Sequence, residues 1–211
     1  MTSLIVCALG IEARAVRRGL PPDGVTVLRT GMGPRRAERA AACLPPASAV
    51  AVTGFAGALD DGLDPGDVLV ASEVRWRDLV VPCPSAPDVA ARLDDAGLAV
   101  RTGPLITSWY VVTGRDRRAQ WGRSGARAAD MESGPLAVAC EDLPFAVVRV
   151  VVDTPASPLL GFATVAHALT ARRTLTRIAP VLAAWEARAG GQARAAHADV
   201  PRKAEQKEGR P

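Results

Sequence analysis

The stretch Val147-Val148-Arg149-Val150-Val151-Val152-Asp153-Thr154-Pro155 decides how the chain is read. A run this rich in β-branched residues predicts one buried strand of a mostly parallel sheet, covered on both faces. Proline removes a ladder donor, so Pro155 ends the strand. In open α/β sheets the ligand crevice lies at the carboxyl ends of the strands, which is where Asp153 falls. A carboxyl beside so much apolar wall resists ionisation and suits a proton donor near neutral pH. Read alone, a helix-cap or turn aspartate is the simpler account of the same residue. Three further stretches shift the balance.

A chain of 211 residues, 48% hydrophobic and 4% aromatic, has the size and composition of one α/β domain with a full core. No apolar run reaches the roughly 20 residues that span a bilayer. The first residues enter a strand without a basic region or a cleavage site, so the cytoplasm is the expected compartment. The formal charge of +4 hints at nucleic acid, but its distribution weakens the hint. Residues 188–211 hold six basic residues against three acidic ones and carry +3 of it. The remainder is near neutral, with no basic stripe interleaved with aromatics, so no nucleic-acid partner is expected. For the tail, weak membrane-surface association stays open beside simple solvation. The four cysteines lie far apart and there are two histidines, so no metal site is expected. Cys7, Cys43 and Cys140 read as small buried hydrophobes.

Along the chain, strands are expected over residues 4–9, 25–30, 49–53, 68–72 and 98–107, and helices over about 12–20, 34–44, 88–96 and 130–140. Glu12 falls at a strand-to-helix junction, where an acid also suits a helix first turn. Gly31-Met32-Gly33-Pro34 places two glycines before a proline at the first helical position. Such a turn presents backbone N–H groups to an anion or a sugar hydroxyl, or is a plain connection. Thr53-Gly54-Phe55-Ala56-Gly57 lets the backbone approach another object closely. Trp109-Tyr110-Val111-Val112 is the one aromatic-rich spot, suited to a ring pocket, core packing or a subunit contact. Residues 76–87 read as irregular and 113–128 as loop with one helical turn. Glu132 reads as a helix-start acid. A long helix is expected over 163–189, kinked or split at Pro180. Past Gly190-Gly191 the composition predicts a disordered basic tail, which divides the chain into a domain at 1–189 and a tail at 190–211.

Taken together, Gly10-Ile-Glu12, Gly31-Met-Gly33, Thr53-Gly-Phe-Ala-Gly57, Pro65-Gly-Asp-Val68, Asp130-Met-Glu132 and Val148-Arg-Val-Val-Val-Asp153 stand in one order along residues 4–185. In that order the chain resembles the purine nucleoside phosphorylase/nucleosidase superfamily, which includes methylthioadenosine/S-adenosylhomocysteine nucleosidase. Gly31-Met-Gly-Pro34, Ala56-Gly-Ala-Leu59 and Asp130-Met-Glu-Ser133 resemble its hopanoid-associated branch, implicated in releasing adenine from adenosylhopane. The resemblance implies a single-domain three-layer α/β/α fold with a central mixed, mostly parallel sheet and flanking helices. It implies a small-molecule nucleoside substrate, no cofactor, and a homodimer or larger homo-oligomer.

The implied reaction is N-glycosidic cleavage. Asp153 matches the acid that protonates the departing purine, and Glu12 the residue that activates water. Glu132 matches the ligand of the ribose hydroxyls, with Met131 against the sugar. Gly33, Phe55, Ala56 and Gly57 complete the substrate-binding set, and Val111 and Val112 fall where the family lines the base pocket. Two family serines are replaced, by Phe55 and by Val152. The arginine that holds phosphate in the phosphorylases is replaced by Val52, which favours water as nucleophile. Gly31, Gly33 and Arg35 form an alternative anion site, so phosphorolysis stays open with phosphate as co-substrate. The alternative substrates are futalosine and methylthioadenosine/S-adenosylhomocysteine, and a further alternative is an inactive nucleoside-binding relative.

Overall fold

A computed structural model describes residues 2–155 and 163–198, with side chains over 3–155 and 169–191. Among the described residues eight strands and six helices follow in the order β1 (Thr2–Cys7), α1 (Gly10–Gly19), β2 (Val25–Arg29), α2 (Pro34–Ala41), β3 (Ala47–Ala58), β4 (Val68–Trp76), β5 (Leu79–Pro82), α3 (Ala86–Asp95), β6 (Val100–Thr107), α4 (Arg115–Gly122), β7 (Ala128–Asp130), α5 (Ser133–Ala139), β8 (Phe145–Asp153) and α6 (Ala163–Ala198).

The sheet is mixed and mostly parallel, ordered β2-β1-β3-β7-β6-β4-β5, with β8 inserted between β3 and β4. β8 runs parallel to β3 and antiparallel to β4, so both its edges are paired. Its burial is nearly continuous, as the Val-rich run predicts. Each valine buried there contributes roughly 1.5–3 kcal/mol. Strand β3 is long enough to serve several partners. Its first half pairs β1, its other edge pairs β8, and its end crosses antiparallel to β7. Because β4 also pairs β6 and β6 pairs β7, five strands close into a ring: β3, β8, β4, β6, β7. Helices α1 and α3 each pack against α6 and the sheet, while α2 packs on α5.

Several boundaries differ from the sequence reading. The strand expected over 49–53 runs on through Ala58 as β3, because the small residues of Thr53–Gly57 still form the ladder to β8. Residues 76–82 are not irregular: β4 and β5 form a hairpin whose turn holds Arg77 at φ 55°. Within 113–128 the chain makes a full helix, α4, and α5 begins at Ser133 because Ala128–Asp130 is drawn into the sheet as β7. Cys43 is exposed rather than buried, since α2 ends before it.

Helix α6 is not interrupted at Pro180. Pro180 leaves the Thr176 carbonyl without its intrahelical donor, and Gly19 of α1 packs there: a Cβ on Gly19 would stand 2.0 Å from that oxygen. The helix also continues through Gly190-Gly191 to Ala198, where the sequence predicts disorder. Two glycines cost about 1 kcal/mol each in a helix, but alanines surround them and Gly190 packs against Ser48. The rest of the expected tail, 199–211, lies outside the described residues. No helix among the described residues is long and apolar enough to cross a membrane.

Candidate active site

The sheet delivers three acids to one cavity. Strand β1 ends at Cys7, and α1 starts at Gly10, which places Glu12 in the first helical turn. Its Oε2 accepts the backbone N–H of Ala8 at 3.0 Å and of Leu9 at 2.7 Å, and its Oε1 accepts Phe55 N–H at 2.8 Å. Those three amides and Arg149 pull the Glu12 carboxyl down, but burial outweighs them and holds it above its ordinary value.

Glu132 sits at the start of α5, and its Oε1 accepts Gly33 N–H at 2.8 Å. Burial, then the Asp130 charge, pushes Glu132 up to about 7 against the opposing Arg149. Asp153 ends β8. The β3–β8 register shifts between Ala56 and Gly57, so that Gly57 stands opposite Asp153. Bulges of this kind re-aim a side chain at a strand end. A Cβ on Gly57 would lie 2.8 Å from Asp153 Oδ1, so this position has room only for glycine.

Glu12, Glu132 and Asp153 face a single cavity of about 210 Å³, together with Met131, Phe55, Ala56, Gly57, Val111 and Val112. Those nine sequence-predicted residues are therefore gathered. Met32, Tyr110 and Val152 also line it. Its walls carry no Lys, Arg or His side chain among the described residues.

The glycine turn behaves differently from the expected anion site. Gly31 and Gly33 have φ of 85° and 100°, a backbone that favours glycine. Their N–H groups, however, are already given to the Ala8 carbonyl and to Glu132. Arg35 is exposed on α2 and does not line the cavity. The Gly33 amide of this turn thus holds the Glu132 carboxylate in place.

Two arginines that the sequence reading left without a role complete the site. Arg149, in the middle of the apolar β8, is almost fully buried. It donates to Asp130 and, at 2.8 Å, to Ser133 Oγ, and lies 3.9 Å from Glu132 Oε2. Burial disfavours its charge, but Asp130, Glu132 and Glu12 outweigh that and keep it a cation. Its Nε and Nη1 are buried without a protein acceptor among the described residues. A Cβ on Gly54 would stand 2.7 Å from both Arg149 Nη1 and Glu12 Oε1, so Gly54 lets these two groups approach. Arg118, on α4, is equally buried and pairs with Asp153. The signal for Arg149 was available: a lone charge within a central strand demands a buried partner.

The sequence profile described as the phosphorylase superfamily matches residues 14–184. The chain belongs to that superfamily. It is an enzyme of the nucleosidase and phosphorylase type, and its α/β fold with a mixed sheet and flanking helices is the superfamily's. Among solved structures it is similar to the futalosine hydrolase of Helicobacter pylori strain 26695 (TM-score 0.76, 16% identity, 88% of this chain and 98% of that one). It is similar also to the 5′-methylthioadenosine/S-adenosylhomocysteine nucleosidase of Colwellia psychrerythraea 34H in complex with adenine (TM-score 0.72, 20% identity, 88% and 96%). The corresponding nucleosidase of S. pneumoniae, with a transition-state inhibitor, gives a TM-score of 0.73 at 17% identity over 87% and 98%. No curated protein matches the chain in sequence. Among the described residues, no group of three or more His, Cys, Asp or Glu side chains is placed to hold a metal ion.

Proposed function

We propose that this phosphorylase-superfamily enzyme hydrolyses the N-glycosidic bond of an adenosine derivative with a large apolar 5′ substituent, adenosylhopane being the substrate the sequence resemblance implies. The observation that carries the reading is the convergence of Glu12, Glu132 and Asp153 on one cavity. In this reading the C1′–N9 bond breaks with its electron pair leaving on the purine. Asp153 gives its proton to N7, which neutralises the charge developing on the base. Glu132 accepts the ribose hydroxyls and steadies the oxocarbenium-like sugar. A water held by Glu12 bonds to C1′, and its proton passes to Glu12.

Water is favoured over phosphate on three grounds. Val52, where the phosphorylases carry arginine, is buried in β3. The Gly31 and Gly33 amides are engaged, and Arg35 does not line the cavity. Phosphorolysis would place label from phosphate on the sugar product; hydrolysis would not.

The apolar 5′ group is supported by the walls and the size of the cavity. At about 210 Å³ it is smaller than the ~300–1,000 Å³ of pockets that enclose drug-sized ligands. Base and sugar fill it, and a long 5′ chain must leave through the mouth. Met32, Tyr110 and Val111, exposed by 52%, 78% and 49%, line that exit with apolar surface. A charged 5′ group would meet no basic side chain among the described residues that line the cavity. The same exposed surface supports the homodimer or larger assembly that the resemblance implies.

The test is base release from adenosylhopane, methylthioadenosine, S-adenosylhomocysteine and futalosine, with Asp153→Asn as control. Adenosylhopane is expected to turn over fastest. Asp153→Asn should lose about 10²–10⁴ in rate. Fast methylthioadenosine or futalosine turnover without adenosylhopane activity would replace the substrate. Binding without turnover of any of the four would make the chain an inactive relative.

A further inference from the structure

The Asp153 carboxylate has a partner that no part of the proposed chemistry uses. Arg118 extends from α4, 35 residues earlier, and is only 2% exposed. One arm, Nη2, pairs with Asp153 Oδ2; the other, Nη1, donates to the Ala58 carbonyl at 2.5 Å. A Cβ on Gly57 would lie 3.1 Å from Nη1, so the strand is kept bare where the guanidinium passes. Val152 precedes Asp153 and offers no hydroxyl to orient it. Arg118 does not line the cavity, whereas Asp153 does.

We infer that Arg118 is the positioning residue of the proton donor: it fixes the Asp153 carboxylate against β3 and sets the pH at which that carboxyl can hold the proton it gives to the base. The inference rests on Asp153 being the donor, as proposed above. A fully buried arginine costs several kcal/mol in desolvation unless its charge is matched, and Asp153 is the carboxylate paired with it. Burial holds the Asp153 carboxyl above its ordinary value, and Arg118 opposes that rise by favouring the ionised form. The forked geometry explains the residue type. A guanidinium reaches a carboxylate and a carbonyl at once in a fixed plane, while an ammonium is a single point charge.

The sign of the effect follows. Proton donation requires protonated Asp153, so kcat/KM falls as pH rises through the carboxyl's midpoint in the free enzyme. Removing the cation beside it raises that midpoint. In Arg118→Gln the alkaline limb of kcat/KM should therefore move upward by about one pH unit or more, with a lower plateau. Arg118→Lys keeps the charge but one arm only. Its limb should stay within about half a unit of the parent's, while kcat falls about tenfold or more.

The experiment measures pH profiles of purine release for the parent, Arg118→Gln, Arg118→Lys and Asp153→Asn, with thermal melting to confirm folding. If Asp153→Asn loses activity while the Arg118→Gln limb stays in place, the inference is overturned and the proton-donor reading survives. If Asp153→Asn works at the parent rate, the donor reading itself is wrong and the inference goes with it. Should Arg118→Gln not fold, a parent-like rate in Arg118→Lys overturns the positioning role, and the tenfold loss with an unmoved limb upholds it.

Discussion

Near neutral pH Glu132 stands close to its own midpoint, because burial and the Asp130 charge raise it to about 7. As ligand of the ribose hydroxyls it serves best as an anion, and protonation at lower pH removes the charge that steadies the sugar cation. Base release should therefore decline as pH falls through about 7. In Glu132→Gln the acid limb should move to lower pH and the plateau drop by about 10². Initial rates at saturating substrate between about pH 5 and 9 read both effects; a limb that does not move assigns the acid-side dependence to another group. Glu12, Glu132 and Asp153 were legible in the sequence because each follows a strand end or opens a helix, positions that local pattern reveals. Arg149 and Arg118 were not singled out. Arg149 hides in a run of valines, and Arg118 is one of several arginines in a polar stretch with no periodicity. What distinguishes Arg118 is a partner 35 residues away, and no local rule reports that.

At the scale of single elements, α6 holds a buried acid far along the chain from Glu12, Asp130 and Glu132. Glu186 is fully buried, its Oε1 accepts Ala51 N–H at 3.0 Å, and its Oε2 has no protein partner among the described residues. Burial raises the carboxyl to about 8, against the pull of the Ala51 and Leu4 amides. A folded-state value above the ordinary 4.5 means that stability from this group is complete below about 4.5, declines as pH rises, and is gone above about 8. The unfolding midpoint of the parent should thus fall across that window. Glu186→Gln, which cannot ionise, should flatten the decline; an identical slope in both proteins would show that Glu186 does not titrate there. The same helix shows how propensity misleads. Pro180 and Gly190-Gly191 each argue for a break, yet α6 passes both because Gly19 and Ser48 pack against it at those points. The β4–β5 hairpin was missed for a comparable reason. Arg77 adopts a left-handed conformation without glycine, and it is held by an ion pair to Glu38 at 2.6 Å and by the rings of Trp76 and Trp109, 5.0 and 5.4 Å away.

For the molecule as a whole, alternation of apolar strands with helical patterns was enough to read the α/β class and a mostly parallel sheet. The closing of five strands into a ring was not readable. It depends on β8 meeting β4 antiparallel and on the three-residue β7, and neither feature has a periodicity of its own. The described fold ends with α6 at Ala198. A chain stopped after that residue keeps every described strand and helix, and it is expected to melt at the same temperature as the full chain and to release base within about twofold of its rate. A larger loss, read by calorimetry and by initial rates, would give residues 199–211 a part in the fold or the site.

The seating of Arg149 has a consequence for how the chain reaches this state. Strand β8 cannot enter the growing sheet carrying an unmatched cation, because an isolated ion is expelled from a dry interior. Asp130 and Glu132 must arrive with it, one from β7 and the other at the start of α5. The dry interior and the reactive centre therefore share one set of matched charges, so a chain in which β8 is not seated lacks the arrangement of both.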